Sequence, residues 1–387
     1  MRHIPYGRQD ISEEDIEAVV DVLKTDWLTQ GPTVERFEQM VAEYCGAKYA
    51  VAVNSATSAL HIACMAAELQ SGDCLWTSPN TFVASANCGL YCDADVDFVD
   101  IDEKTYNMSS TKLAEKLSHE RIEGRLPKVV IPVHFAGQSC DMVTIAALAA
   151  EYDFTVIEDA SHAIGGSYRD SKIGSCRYSD MTVFSFHPVK IVTTGEGGIV
   201  VTNRQDLYVK LLRLRSHGIT RNSEDMMNDT HGPWYYEQIE LGFNYRMTDI
   251  QAGLGISQMK RIDEFINKRE EKAEYYTRAL QGLPLTLPYQ NDDIHSAWHL
   301  YVVKINNELC SKSRRQVFEE LRDRGLGVNV HYIPVHTQPY YRQLGFSHGD
   351  FPVAEQYYEQ AISIPMFYRL TNEEQDYIIQ SIKEVLK

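Results

Sequence analysis

Between residues 48 and 202, short apolar runs alternate with longer stretches of helical period. "KYAVAV" leads into "SATSALHIACMAAEL", "DCLWTS" into "TFVASANCGLYC", and "PKVVIPVHF" into "MVTIAALAAEY"; "DVDFVDI", "FTVIEDAS", "DMTVFSF" and "GGIVVTN" complete the set. Strands that are apolar throughout have no face to give to water. Separated by helices, they require a mainly parallel sheet covered on both sides, an α/β layer. The last three runs come in quick succession, so part of the sheet is expected to be mixed or hairpin-connected.

A helical pattern then runs from about Thr248 to Leu280, opening with "TDIQ", whose Thr and Gln three apart fit a capping box. Pro284 and Pro288 interrupt the chain, and "AWHLYVVKI", "SRRQVFEELRDRG", "LGVNVHYIPVH", "EQYYEQAISIPM" and a closing helix alternate again. The expected division is a large domain over 1–255, N-terminal segment included, and a smaller α+β domain over 256–387. A chain of 387 residues, 44% of them hydrophobic, can fill two such cores.

Composition removes several function classes. A net charge of −17 speaks against a nucleic-acid partner, because phosphate backbones need clustered Lys and Arg. No apolar run approaches the roughly 20 residues of a membrane helix. "MRHIPYGRQD" lacks the apolar segment of a secretory signal. Eight cysteines are scattered without a CxxC pair, which reads as buried, reduced thiols in a cytoplasmic protein, with no metal site.

Ligands of open α/β sheets bind where strands end, so the polar residues there are the candidates. "VNSATSAL" runs from a strand into a helix start near Ala56 or Thr57, where free N–H groups attract an anion; the plain alternative is N-capping by Ser55 or Thr57. "TVIEDASHAIG" ends a strand on Glu158 and Asp159, able to face a cationic ligand atom or to close a turn. "TVFSFHPVK" ends on Ser185, with Lys190 five residues on, ahead of the flexible "TTGEGG". An amine in a dry pocket loses hydration of its charged form and becomes a nucleophile able to form a Schiff base; exposed, it is an ordinary loop lysine. "LGFNYRMTD" brings an amide, a phenol and a guanidinium together before the long helix. Taken together, an anion-binding helix start, an Asp for a ring nitrogen and a Ser with a Lys make the inventory that pyridoxal phosphate (PLP) needs.

Three other patterns carry less. "GLGVNV" lacks the third glycine of a dinucleotide fingerprint. "HSAWH" has no HExxH glutamate and reads as packing, and Pro334 breaks "HYIPVH". Arg369 lies in "SIPMFYRL", near where amino-acid aminotransferases keep a carboxylate clamp; the expected reading is a surface arginine.

"WLTQGPTVERFE", "NSATSALH", "SPNTFVASAN", "EDASHAIGGSY", "SFHPVKIVTTGEGG" and "LGFNYRMTDIQAGLG" occur in the order of the DegT/DnrJ/EryC1 family of sugar aminotransferases, which the chain resembles along nearly its whole length. The resemblance implies the PLP-dependent transferase fold type I, with a large, mainly parallel seven-stranded sheet domain and a smaller α+β C-terminal domain. It implies that Lys190 holds the cofactor and moves protons, and that Asp159 pairs with the pyridine nitrogen. Phe82 would stack on the ring and His162 would sit near its 3-hydroxyl. Ala56, Thr57 and Ser185 would bind the phosphate, with Asn244 reaching it from a second subunit of a homodimer. Tyr6, Trp27, Leu28, Thr29, Val330, His331, Tyr332 and Ile333 would line the sugar-nucleotide site. A lysine at 190, where one branch of the family has histidine, favours amino transfer over dehydration; His187 is expected to pack or hydrogen-bond. Details look closest to the branch acting in pseudaminic acid synthesis, implying L-glutamate as donor and a UDP-linked 4-keto-sugar as acceptor. Other UDP- or dTDP-keto-sugars, aminated at C3 or C4, remain open.

Overall fold

A computed structural model describes residues 3–387. The central sheet has seven strands: β1 (Tyr49–Val53), β2 (Cys74–Thr77), β3 (Asp95–Phe98), β4 (Val129–Ile131), β5 (Thr155–Asp159), β6 (Met181–Ser185) and β7 (Gly198–Thr202). Their spatial order is β1-β7-β6-β5-β4-β2-β3, with β7 antiparallel to both neighbours and the β2, β3, β4, β5 and β6 pairings parallel. β6 and β7 are buried at every position, as their unbroken apolar runs require. Two apolar layers enclose the sheet. Val51 and Val53 of β1 face one, while Ala50 and Ala52 face the other.

The reversed strand β7 has a local cause. The segment 186–197 that joins β6 to β7 contains no helix to carry the chain across a face of the sheet, and the chain doubles back. Gly198, at its start, lies against the beginning of helix Ala56–Ala66; a Cβ there would come within 2.5 Å of the Ala56 nitrogen. Glycine lets the sheet and the helix start meet.

The continuous helix expected from Thr248 to Leu280 is two helices, Asp249–Met259 and Ile262–Leu280, separated at Lys260 and Arg261. Thr248 caps the first through the expected box with Gln251. The break reflects two packing jobs. The first helix lies against helices Glu13–Leu23 and Pro32–Cys45 of the large layer, and the second contributes Ala273, Tyr276 and Leu280 to the C-terminal core. Residue 255 therefore falls inside a helix. The C-terminal half is built on an antiparallel three-stranded sheet of Leu285–Thr286, Tyr301–Ile305 and Ala361–Ile364, backed by helices. Ile4 pairs with Leu326 and is buried in this C-terminal core, so the first described residues also reach the smaller unit. Among the described residues every cysteine is free, no cluster of metal-ligating side chains occurs, and no helix is long and apolar enough to cross a membrane.

Candidate active site

The C-terminal ends of β5 and β6 and the start of helix Ala56–Ala66 open into a cavity of about 440 Å³. Its lining contains Tyr6, Ala56, Thr57, Phe82, Asp159, His162, Ser185, Lys190, Val330, His331 and Tyr332, eleven of the sixteen residues expected there. The motifs meet because each follows a strand that ends on the same edge of the sheet.

Residues alternate sides along a strand, and β5 uses both sides. Asp159 faces the cavity. Glu158 faces away into a buried network, where its carboxylate accepts from Thr182 Oγ1 at 3.0 Å, from Ser179, and pairs with His134 Nε2 at 2.5 Å. Asp159 is fixed at both ends. Its backbone N–H donates to Pro132 O at 2.9 Å and its carbonyl accepts from His134 N at 3.0 Å. Its Oδ2 accepts from Ser85 Oγ at 2.6 Å and its Oδ1 from Ser161 N at 3.1 Å. Two donors aimed at a buried carboxylate fix its orientation.

Lys190 is half-buried, its backbone N–H bonded to His187 O at 2.9 Å in the turn after β6. Desolvation lowers its amine to about 8, partly opposed by the Asp159 carboxylate. The amine therefore reaches its neutral, nucleophilic form at far lower pH than a surface lysine. At the other end of the cavity, Ser55 caps helix Ala56–Ala66 by accepting from Ser58 N at 3.1 Å on its side chain and from Ala59 N at 3.0 Å on its carbonyl. The N–H groups of Ala56 and Thr57 are left for a ligand, with Ser185 close by in the same lining. Phe82, 59% exposed, presents its ring to the cavity.

These features fit PLP: an anion cradle at one end, a fixed carboxylate and a depressed amine at the other, and a bare aromatic face between. Lys190, Asp159, Ser185, Ala56, Thr57 and Phe82 are the residues that would hold it.

The remaining expected residues stand elsewhere. Trp27, Leu28, Thr29, Asn244 and Ile333 are exposed and do not line this chain's cavity. Trp27 to Thr29 lie on the surface because Leu28 O accepts from Asp249 N at 3.0 Å and Thr29 bridges Thr248. Arg369 pairs with Asp10 and donates to Ile11 O at 2.7 Å, so it clamps the N-terminal segment and leaves the cavity without an arginine. His187 is exposed at the cavity, where its Nδ1 accepts from Val189 N at 3.5 Å, the hydrogen-bonding alternative rather than packing. Residues that sequence reasoning missed are Ser85, whose hydroxyl sits within an apolar helix, and His299, read as packing. His299 lines the cavity, its ring centroid 4.4 Å from that of His162, with its buried Nδ1 unpartnered. Arg269 posts it there by donating to the carbonyls of Trp298, His299 and Met366 at 3.2, 3.3 and 3.2 Å.

Fold and site together define a PLP-dependent aminotransferase. The chain belongs to the DegT/DnrJ/EryC1/StrS aminotransferase family, whose profile matches residues 9–383. It is 36% identical over 392 residues to the UDP-4-amino-4,6-dideoxy-N-acetyl-beta-L-altrosamine transaminase of Campylobacter jejuni, covering 99% of this chain and 98% of the relative. It is 39% identical over 387 residues to the spore coat polysaccharide biosynthesis protein SpsC of Bacillus subtilis, covering 99% and 97%. Among solved structures, Helicobacter pylori PseC, described as an aminotransferase involved in the biosynthesis of pseudoaminic acid, superposes with a TM-score of 0.90 at 32% identity over 100% of this chain and 99% of that one. Spr1654 from Streptococcus pneumoniae, solved in a PLP form, gives 0.88 at 29% identity over 99% and 98%. The protein is a PLP-dependent sugar aminotransferase.

Proposed function

We propose that this enzyme moves the amino group of L-glutamate to the C4 ketone of a UDP-2-acetamido-2,6-dideoxy-hexos-4-ulose, giving UDP-4-amino-4,6-dideoxy-N-acetyl-beta-L-altrosamine and 2-oxoglutarate. The observation that carries the amino-transfer chemistry is the pairing of a depressed Lys190 amine with the doubly held Asp159 carboxylate in one cavity. The named acceptor is supported by similarity to the Campylobacter jejuni transaminase and to PseC.

Bound at this site, PLP supplies an electron sink for the carbon that bears the amino group. Lys190 removes the proton from Cα of glutamate and, in the second half, returns one to C4 of the sugar. Asp159 would keep a positive charge on the ring nitrogen. Ala56, Thr57 and Ser185 would anchor the phosphate, and Phe82 and His162 would contact the ring. Tyr6, Val330, His331 and Tyr332 receive the substrates.

The exposed Asn244, Trp27, Leu28, Thr29 and Ile333 fit a homodimer in which Asn244 of the partner subunit completes the phosphate site and Trp27 to Thr29 and Ile333 border the sugar nucleotide. Exposed Met227, Trp234, Tyr236 and Leu241 supply apolar surface for such an interface.

The test is substrate profiling of purified enzyme with glutamate against UDP- and dTDP-linked 4-keto- and 3-keto-sugars. Highest kcat/KM with the UDP-2-acetamido-2,6-dideoxy-4-keto-sugar supports the assignment; preference for another keto-sugar replaces the acceptor and leaves amino transfer standing. Mixing Lys190→Ala and Asn244→Ala chains should restore part of the activity if sites are shared between subunits.

A further inference from the structure

One wall of the cavity, at His162 and Tyr332, has its hydrogen-bond directions set by the backbone. Ala136 has φ 60 and Gly137 φ 107, a left-handed turn that an alanine adopts at a cost of about 1 kcal/mol. The turn is held from outside: Phe135 N donates to Asn107 Oδ1 at 2.8 Å, Ala297 N to Gly137 O at 3.0 Å and Leu300 N to Ala136 O at 3.3 Å. A Cβ at residue 137 would meet Trp298 N at 2.7 Å, so the turn also needs its glycine. Held this way, Ala136 directs its N–H to His162 Nδ1 at 3.3 Å.

A backbone N–H can only donate, so His162 Nδ1 must be the bare, accepting nitrogen. Burial, with the Lys190 charge nearby, holds the imidazole pKa well below its ordinary range, so the ring is neutral. A neutral ring with a bare Nδ1 carries its proton on Nε2. Nε2 lies 3.0 Å from the Tyr332 hydroxyl, which therefore accepts. Burial raises the pKa of the Tyr332 phenol, keeping its own proton in place. That proton is free for an acceptor in the cavity, which Tyr332 lines.

We propose that His162 is a positioning residue acting through Tyr332. The chain Ala136 N–H to His162 to Tyr332 makes the tyrosine a donor that recognises a substrate oxygen able to accept, most strongly one carrying negative charge. With no arginine in the lining, this donor recognises a carboxylate, carbonyl or phosphoryl oxygen. The substrate side rests on the function proposed above; the direction of the chain does not.

Two measurements test it. In full-length, cofactor-free protein labelled with ¹⁵N-histidine, the His162 signals are those lost in His162→Gln. They should show an unprotonated Nδ1 and a protonated Nε2, unchanged across the pH range where an ordinary histidine titrates. The opposite tautomer, or titration at an ordinary value, overturns the proposal without touching the reaction assigned above. In steady-state kinetics, Tyr332→Phe should raise KM for one substrate about tenfold or more while changing kcat little, the loss expected for a hydrogen bond to a charged or strongly polar acceptor. His162→Leu should reproduce the rise in KM, whatever it does to kcat, and His162→Gln, which can accept and donate at the same two positions, should reverse that rise. A rise confined to glutamate identifies the carboxylate as the acceptor; one confined to the keto-sugar identifies an oxygen of the sugar nucleotide. Unchanged KM for both substrates in Tyr332→Phe, or equal losses in His162→Gln and His162→Leu, contradicts the proposal.

Discussion

The hydroxyl of Ser85, fully buried, donates to Asp159 Oδ2 at 2.6 Å, and Ser85 in turn meets Thr81 Oγ1 at 2.8 Å. The carboxylate that would face the cofactor nitrogen is thus aimed by a serine on a neighbouring helix. Ser85→Ala removes a hydrogen bond to a charged group, about 1.5–3 kcal/mol. Cofactor should still bind, while kcat/KM for amino transfer falls roughly tenfold to a hundredfold. Titrating PLP into the variant and measuring its kinetics separates the two effects.

The desolvated Lys190 amine lowers the stability of the fold. In the cofactor-free protein its amine sits at about 8 against 10.5 in the unfolded chain. Between those values the unfolded chain binds a proton that the folded one does not, so stability rises with pH through the window and is lowest below it. Lys190→Met should therefore raise the Tm of cofactor-free protein at neutral pH, with the gain shrinking as pH climbs toward 10.5. Thermal unfolding of both proteins on each side of the window checks this; a lower Tm for the variant at neutral pH would count against a desolvated amine.

Asp249 joins two helix starts. Buried at the beginning of helix Asp249–Met259, its carboxylate accepts from Gly31, Thr33 and Val34 N–H at 2.8, 2.9 and 3.3 Å, capping helix Pro32–Cys45. Asp249→Ala leaves these donors without an acceptor and should lower unfolding free energy by about 3 kcal/mol. Because the same contact holds the segment bearing Trp27 to Thr29, denaturant unfolding should be paired with a KM measurement for the sugar nucleotide, which is expected to rise.

Arg269 is buried without a carboxylate partner, its pKa lowered to about 10 by desolvation. It gives its hydrogen bonds to three carbonyls, two of them flanking and belonging to His299. Arg269→Leu should cost about 3 kcal/mol, near 1 kcal/mol for each bond lost, measured by denaturant titration.

The sheet and the two poles of the site were legible because both follow from chain order. Apolar runs announce buried strands, and Asp159, Ser185 and the helix start at Ala56 sit immediately after such runs. Ser85 was not legible: a serine in "TFVASAN" looks like any small residue on a packed helix, and only the fold brings it to Asp159 across 74 positions. His299 and Arg269 escaped for the same reason. The break at Lys260 and Arg261 was hidden because both helices share one continuous period and neither Gly nor Pro marks the joint. Arg369 shows the limit of analogy by position: Asp10, from the far end of the chain, occupies its guanidinium.

The most direct test of the central claim is a single-turnover absorbance measurement on the PLP-loaded protein. Adding L-glutamate should convert the cofactor's visible band to that of its aminated form with release of stoichiometric 2-oxoglutarate, and the UDP-linked 4-keto-sugar should restore the original band. Lys190→Ala should do neither. A wild-type band indifferent to glutamate, or conversion retained in Lys190→Ala, would contradict the account.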